Sequence, residues 1–215
     1  MARKTYYFSS YIDEDGIVTH PAVISESDKY RYSIQIPFKD RDQKKGKIAV
    51  VIMKNPSKAG RKESLPNNQT RRISDETIYR VLDYLYKHPE DFSSVIILNI
   101  FALYASVLKD DETEAETNQK HVVDKLTDVD SLAKNDTIIA STIAKLKEGD
   151  RVIAAWGGYP QLKGFNGKYR ERIEKIRKLF NGKELWRVGD IVKDGTLQFP
   201  QHGSKWVDFE KMELF

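Results

Sequence analysis

Polar and aromatic residues stand after four short, mainly apolar runs in this sequence, where their side chains could hold one flat, polar ligand. They are Asn55, Asn99, Trp156 and Asp190. An amide offers one donor and one acceptor, which match the edge of a nucleobase, and an aromatic ring can stack on its face. Taken singly, such residues are common in turns, and Trp156 is equally suited to a core, so the prediction depends on the recurrence of the pattern.

The apolar run at 48–53 predicts the central strand of the fold. It is rich in β-branched residues and lacks polar alternation, which is typical of a strand covered on both faces. Pro56 disfavours helical backbone at Asn55, so this amide is expected at the strand end. If the other three runs form parallel neighbouring strands, their ends share one edge, where ligands bind in open α/β sheets.

Three amphipathic patterns alternate with these runs and predict helices. Ser74 is expected to cap the first helix, and Asn135 with Asp136 to open the second, which Gly149 ends. The third helix is expected within 169–180, closed by an Asn-Gly pair. Strand and helix therefore alternate three times before the fourth strand.

This alternation predicts a single α/β domain with a central, mostly parallel, four-stranded sheet and helices on both faces. Residues 1–46 are expected to add antiparallel strands at the N-terminal end, and residues 47–206 to form the core. The acidic residues 109–130 are interpreted as a surface insertion. Residues 60–73 and 193–206 are predicted as loops because they are rich in turn-forming residues.

The composition is that of an ordinary globular domain, with 40% hydrophobic and 32% charged residues in a chain of 215. The absence of Cys excludes disulfides and fits a reducing compartment. No stretch has the apolar length that spans a bilayer, and no signal-peptide core follows the first residues. A cytoplasmic protein without a membrane partner is therefore expected, while its oligomeric state is left open.

The sequence carries no pattern typical of a metal or cofactor site. Its four His residues lack ligand spacing, and Asn-Pro-Ser follows the first strand where a dinucleotide-binding chain would have Gly-x-Gly. We therefore expect no metal and no cofactor.

The formal net charge is +4, so an anionic partner is permitted by the charge but not required. Basic residues concentrate at 54–72 and 163–183, and both stretches follow a predicted strand end. This distribution would place positive potential near the site. Solvated loop and helix faces explain it equally well.

Six ordered motifs make the sequence resemble the domain-of-unknown-function 1643 family, DUF1643. They are Asn55-Pro56-Ser57-Lys58-Ala59, Asp75-x-Thr77 with Arg80, Asn99-x-Phe101-Ala102, Asn135-Asp136, Ala155-Trp156-Gly157, and Lys193-Asp194-Gly195 leading to Pro200-x-His202. The resemblance runs from about Tyr30 to Trp206. Its departures are the acidic insertion and Gly203-Ser204, where such proteins tend to have Pro-Leu.

The order of these motifs is also remotely similar to the uracil-DNA glycosylase superfamily, which implies a three-layer fold and a base-processing site. On this resemblance Asn55 would position water, Asn99 would read the base edge, and His202 would stabilise charge on the departing base. An amide cannot act as a general base, so Asp75 and Asp136 are candidate helpers. For Asp75, interaction with a helix dipole is the structural alternative.

The resulting hypothesis is a DNA glycosylase-like hydrolase that acts on a modified or unmodified nucleobase in DNA or in a nucleotide, in repair or phage defence. The alternative is a non-catalytic module that binds such a base, and an enzyme of an unrelated small metabolite is a third. Ser57 is not favoured as a nucleophile, because no His-acid pair lies near it in sequence. The predicted ligand-binding residues are Pro56, Ser57, Thr77, Arg80, Asn99, Phe101, Asn135, Trp156, Gly157 and Tyr159.

Overall fold

The structure is a computed structural model that describes residues 6–21, 30–57, 59–60, 62–64, 70–104 and 123–215. Its strands are β1 (Tyr6–Tyr7), β2 (Val18–His20), β3 (Ser33–Pro37), β4 (Lys47–Met53), β5 (Lys62–Ser64), β6 (Thr70–Ser74), β7 (Phe92–Asn99), β8 (Arg151–Ala154), β9 (Leu185–Val188), β10 (Val192–Asp194), β11 (Leu197–Phe199) and β12 (Met212–Leu214). The longer helices are α1 (Glu76–Lys87), α2 (Val129–Ala144) and α3 (Asn166–Lys178), and a 3-10 turn spans Gly203–Lys205.

A seven-stranded sheet in the order β12-β9-β8-β4-β7-β3-β2 forms the centre of the fold. Its four central strands, β9, β8, β4 and β7, run parallel. The register places Met53 beside Asn99, so the ends of β4 and β7 lie next to each other. The prediction of a central, mostly parallel sheet with N-terminal antiparallel strands is confirmed, and the antiparallel β12 extends the other edge.

Helices cover both faces of this sheet. On one face, α1 packs its buried residues in a cluster with Val51 of β4, and on the other, α2 and α3 pack with Val50 and Ile52. These three residues of β4 have no exposed surface. Alternate side chains of β4 therefore anchor two separate apolar layers, which fixes the position of the strand end.

The starts of the first two helices differ from the prediction. Ser74 was expected to cap α1, but it pairs with Tyr6 in a sheet, and the cap is Asp75, whose Oδ1 accepts from the Ile78 N–H at 2.9 Å. The second helix begins at Val129, because Asp128 caps it by accepting from the Ser131 N–H at 2.9 Å. Asn135 and Asp136 lie within this helix.

The C-terminal part of the predicted acidic insertion is helical. Residues 128–130 form the cap and first turn of α2, and residues 123–126 are helical. The rest of the predicted insertion, at 109–122, lies outside the described residues. The two predicted loops also contain short hairpins, β5–β6 and β10–β11, whose polar sequences lack the apolar alternation by which strands are recognised.

Within the described part of the chain, none of the helices combines the length and apolar character needed to cross a membrane.

Candidate functional site

A cavity of about 90 Å³ lies at the carboxyl ends of β4 and β7, next to the start of α1. Nine residues line it: Arg31, Met53, Asn55, Ser57, Asp75, Thr77, Ile78, Asn99 and His202. Six of them were predicted from the sequence, and Arg31, Met53 and Ile78 were not. The sheet thus brings together residues that are far apart in the chain, because parallel strands end at a common edge.

Asn99 presents to this cavity an amide that has no hydrogen-bond partner among the described residues. Its side chain is fully buried, and neither Oδ1 nor Nδ2 is bonded to any described residue. Buried polar atoms are nearly always paired, so an unpaired amide that lines a cavity calls for an explanation. A ligand with one acceptor and one donor in adjacent positions would satisfy both atoms.

The backbone around Asn99 is held firmly, in contrast with its side chain. Asn135 Nδ2 donates to the carbonyl oxygens of Asn99 at 2.9 Å and of Ile100 at 3.1 Å. The buried Arg172 also donates from Nε to the Ile100 carbonyl at 2.9 Å. Through these bonds, Asn135 of α2 and Arg172 of α3 fix the end of β7. The Asn99 amide is thereby held at the cavity.

Among the described residues that line the cavity, Asp75 is the only carboxylate. Its Oδ2 accepts a hydrogen bond from the Ser57 hydroxyl, while Oδ1 caps α1. Ser57 thus donates its proton to a carboxylate and not to an imidazole, so its contacts do not form a Ser-His pair. Asp75 keeps further lone pairs with which it could accept a proton from a water molecule.

The contacts of the His202 ring assign the proton of its neutral form to Nε2. Its Nδ1 accepts from the Ser204 N–H at 3.3 Å and lies 2.9 Å from Ser204 Oγ. An accepting Nδ1 leaves Nε2 as the ring donor. Burial lowers the pKa of His202 to about 4, the positive charge of Lys54 contributes, and Asp75 opposes the shift.

Gly157 allows the loop that carries His202 to approach the strand end. It has φ of +68°, and a Cβ built on it would lie 3.0 Å from His202 Cβ. A side chain at this position would therefore strain the backbone and clash with His202. Gly157 was predicted to contact the ligand, and the structure places it behind His202, outside the cavity lining.

Two cationic side chains near the cavity were missed as site residues. Arg31 is 1% exposed, donates to the Ala59 carbonyl, and lies with its guanidinium 5.8 Å from the centre of the Tyr104 ring. Lys54 Nζ lies 5.5 Å from the centre of the Tyr169 ring, and burial lowers its pKa to about 8. The position of Lys54 in the sequence could have indicated it, because it immediately precedes Asn55 at the predicted strand end. From the sequence it is assigned only to the basic stretch 54–72.

Three aromatic residues that were predicted to contact the ligand pack against other rings and do not line the cavity. Trp156 is 1% exposed and packs against Phe215, while Phe101, 2% exposed, packs against Phe165. Tyr159 packs edge-on against Phe199. Stacking of these rings on a ligand stays a prediction.

The remaining predicted residues also lie outside the lining. Asp136 forms ion pairs with Arg172 at 2.5 Å and Lys175 at 2.8 Å, and Arg80 pairs with Glu76 at 2.9 Å on the surface. Asn135 holds the end of β7 as described, and the Pro56 carbonyl accepts from Asn55 Nδ2 at 3.3 Å. Asp136 is therefore engaged by two cations on the α2–α3 side of the sheet.

A family model described as "Protein of unknown function (DUF1643)" matches residues 31–202, which is most of the chain. No curated protein and no solved structure matches the chain. The first and last matched residues, Arg31 and His202, both line the cavity. The matched segment thus encloses all nine lining residues, and the chain belongs to the DUF1643 family.

Proposed function

We propose that this protein binds a nucleobase in DNA or in a nucleotide at the cavity and hydrolyses its N-glycosidic bond. The observation that carries the proposal is the buried amide of Asn99, whose donor and acceptor both lack a partner among the described residues. The edges of nucleobases carry adjacent donors and acceptors, which such an amide can bind in pairs. Asn99 would thus read the base edge.

The size of the cavity sets how much of the base it would take. Its volume is about 90 Å³, whereas sites for drug-sized ligands are roughly 300–1,000 Å³. The cavity would therefore hold the edge of a base, with the sugar outside. An enzyme that acts on a base in DNA takes that base out of the stack, which presents such an edge.

His202 would stabilise the departing base. When the N-glycosidic bond breaks, its electron pair moves into the base, where negative charge develops on the ring and its oxygens. The neutral imidazole of His202 can donate from Nε2 to that charge without a change in its own protonation, because its pKa is about 4. A fixed donor of this kind costs little reorganisation during the reaction.

Water would replace the base at the sugar carbon C1′. The amide oxygen of Asn55 would position the water, and Asp75 would accept its proton as the new C–O bond forms. We assign the helper role to Asp75 because it lines the cavity, whereas Asp136 is held by Arg172 and Lys175. The order of Asn55-Pro56, Asn99, Trp156-Gly157 and His202 along the chain, which is similar to uracil-DNA glycosylases, supports this assignment.

The test is mass spectrometry of the bases released from a DNA panel that carries uracil, damaged bases and phage-type modified bases. We expect one free base to be released by the wild type and not by Asn55→Ala or Asp75→Asn. The exposed Asn166 provides a matched control, and Asn166→Ala should release the base at the wild-type rate. Equal release by all variants would remove the cavity as the reaction site.

A non-catalytic module that senses a base is the second candidate function. It is favoured by the contacts of Asp75, since each of its oxygens already accepts a hydrogen bond. This function predicts binding to the same panel without release, with an affinity for DNA that falls steeply as salt displaces the protein from the phosphates. An affinity that does not change with salt would indicate a small free ligand.

A further inference from the structure

The amino group of Lys54 occupies an unusual position for a lysine of this chain. It belongs to the residue between the end of β4 and Asn55, so its backbone is at the edge where the parallel strands end. The Lys54 carbonyl accepts from the Phe101 N–H at 3.0 Å, which fixes the start of the side chain. The side chain is partly buried and extends over the ring of Tyr169.

No carboxylate of the described residues neutralises this amine. Within the ranges that the structure describes, Lys54 makes no ion pair, in contrast with Lys87 and Lys175, which bind Asp side chains at 2.7 and 2.8 Å. Among the described residues, the titratable groups with which it interacts are Tyr169 of α3, over whose ring it lies, and His202, whose pKa it helps to lower to about 4. The amine is therefore partly desolvated and has no counter-ion among the described residues, and its charge acts on His202, which lines the cavity.

These surroundings favour the uncharged amine, which is the nucleophilic form of lysine. Since burial lowers the pKa of Lys54 to about 8, about a quarter of the amine is uncharged at pH 7.5, against about 0.1% for a lysine with the ordinary value. Desolvation is one of the ways in which proteins activate lysine for attack on a carbonyl carbon.

We propose that Lys54 captures the aldehyde of an abasic deoxyribose in DNA as a covalent imine. The Nζ lone pair attacks C1′ of the open-chain sugar, and a C–N bond forms. The carbonyl oxygen leaves as water with the two protons of the amine, so the step needs no oxidant, reductant or cofactor. This activity goes beyond the proposed base release, because the abasic site can come from any source.

The experiment incubates the protein with an oligonucleotide that already contains one abasic site, and adds sodium borohydride to reduce the imine to a stable amine. We expect a covalent protein–DNA adduct from the wild type, and peptide mass mapping should place it on Lys54. Lys54→Arg keeps the positive charge and removes the nucleophile, so the adduct should fall at least tenfold.

Lys134 offers a matched control, because its Nζ lies 4.9 Å from the centre of the Tyr32 ring but on an exposed part of α2. Lys134→Arg should form as much adduct as the wild type. The proposal is overturned if the wild type forms no adduct, if the adduct maps to another lysine, or if Lys54→Arg is trapped as well as the wild type. Mapping of the wild-type adduct does not depend on how the variants fold.

The outcome is separable from the proposed function. An adduct on Lys54 without base release would support the capture of abasic DNA and count against the glycosylase. Base release without an adduct would support the glycosylase and count against the capture of abasic DNA by Lys54.

Discussion

Asn135 holds the backbone of Asn99 in place, while the side chain of Asn99 has no hydrogen-bond partner among the described residues. The Asn135 amide donates to the Asn99 carbonyl at 2.9 Å, and both side chains are fully buried. Two asparagines that are adjacent in space therefore have different tasks: one supports the strand end, and the other offers its amide to the cavity. This division leads to the first prediction.

Asn99→Ala should cost the free protein little stability, about 1 kcal/mol or less, because it removes a buried amide that makes no hydrogen bond. Asn135→Ala removes two hydrogen bonds and leaves buried carbonyls unpaired, so it should cost about 2–3 kcal/mol. Urea denaturation of both variants provides the comparison. A larger loss for Asn99→Ala than for Asn135→Ala would mean that the Asn99 amide has a structural partner.

Asp75→Asn should slow base release strongly while the protein stays folded, since an amide oxygen can still cap α1 but cannot take a proton from water. The expected loss of rate is about 100- to 10,000-fold. Asp128→Ala is the comparison, because Asp128 caps α2 with the same 2.9 Å bond away from the cavity lining. It should cost about 1 kcal/mol of stability and leave the rate unchanged.

His202 should make the stability of the protein depend on pH in the acid range. Its pKa in the folded protein is about 4, below the ordinary value of 6.5, so the unfolded chain takes up a proton first as the pH falls. The stabilisation is complete above about pH 6.5 and is lost towards pH 4, by up to about 3 kcal/mol. Urea denaturation between pH 4 and 7 should show a smaller loss for His202→Gln than for the wild type. An equal loss in both proteins would contradict the low pKa.

His202→Ala should slow turnover with less effect on binding, because the imidazole acts on charge that develops as the bond breaks. Single-turnover release rates and equilibrium binding to the same oligonucleotide separate the two effects. If binding falls as much as the rate, His202 contributes to recognition of the ground state and not to the transition state.

Gly157→Ala should disturb the site through His202. Gly157 and Gly164 both have positive φ, at +68° and +71°, so either substitution to Ala carries a backbone cost of about 1 kcal/mol. Only at Gly157 would the new Cβ lie against His202, whereas nothing lies within 4 Å at Gly164. We therefore expect Gly157→Ala to shift the NMR titration of His202 and slow base release, and Gly164→Ala to do neither.

The sequence predicted the parallel sheet because short apolar runs without polar alternation, separated by helical patterns, are typical of strands buried on both faces. Of the six lining residues that the sequence predicted, Asn55 with the adjoining Ser57, and Asn99, follow from the rule that polar residues at the ends of parallel strands share an edge. Asp75, Thr77 and His202 entered through the family resemblance, because none of them directly follows one of the four runs.

What could not be predicted depends on contacts between distant segments. In the sequence, Arg31 looks like a solvated charge between two tyrosines. It lies just before β3, and the pairing of β3 with β7 brings it to the cavity. The cap of α1 lies at Asp75 because Ser74 is taken into a sheet with Tyr6. Asp136 cannot be distinguished from Asp75 in the sequence, since its ion pairs come from α3, a helix 30 or more residues away.

The central claim is that the Asn99 amide reads the edge of a base, and equilibrium binding tests it most directly. Oligonucleotides of one sequence would carry each base of the panel and, beside it, the same base with its hydrogen-bonding edge blocked by methylation. We predict that one base binds, and that blocking its edge or substituting Asn99→Ala each weakens binding about 10- to 100-fold, the loss of one or two buried hydrogen bonds. For the Asn99→Ala variant, blocking the edge of the base should weaken binding little further. Binding that is equal for open and blocked edges, or no binding of any base, would contradict the claim.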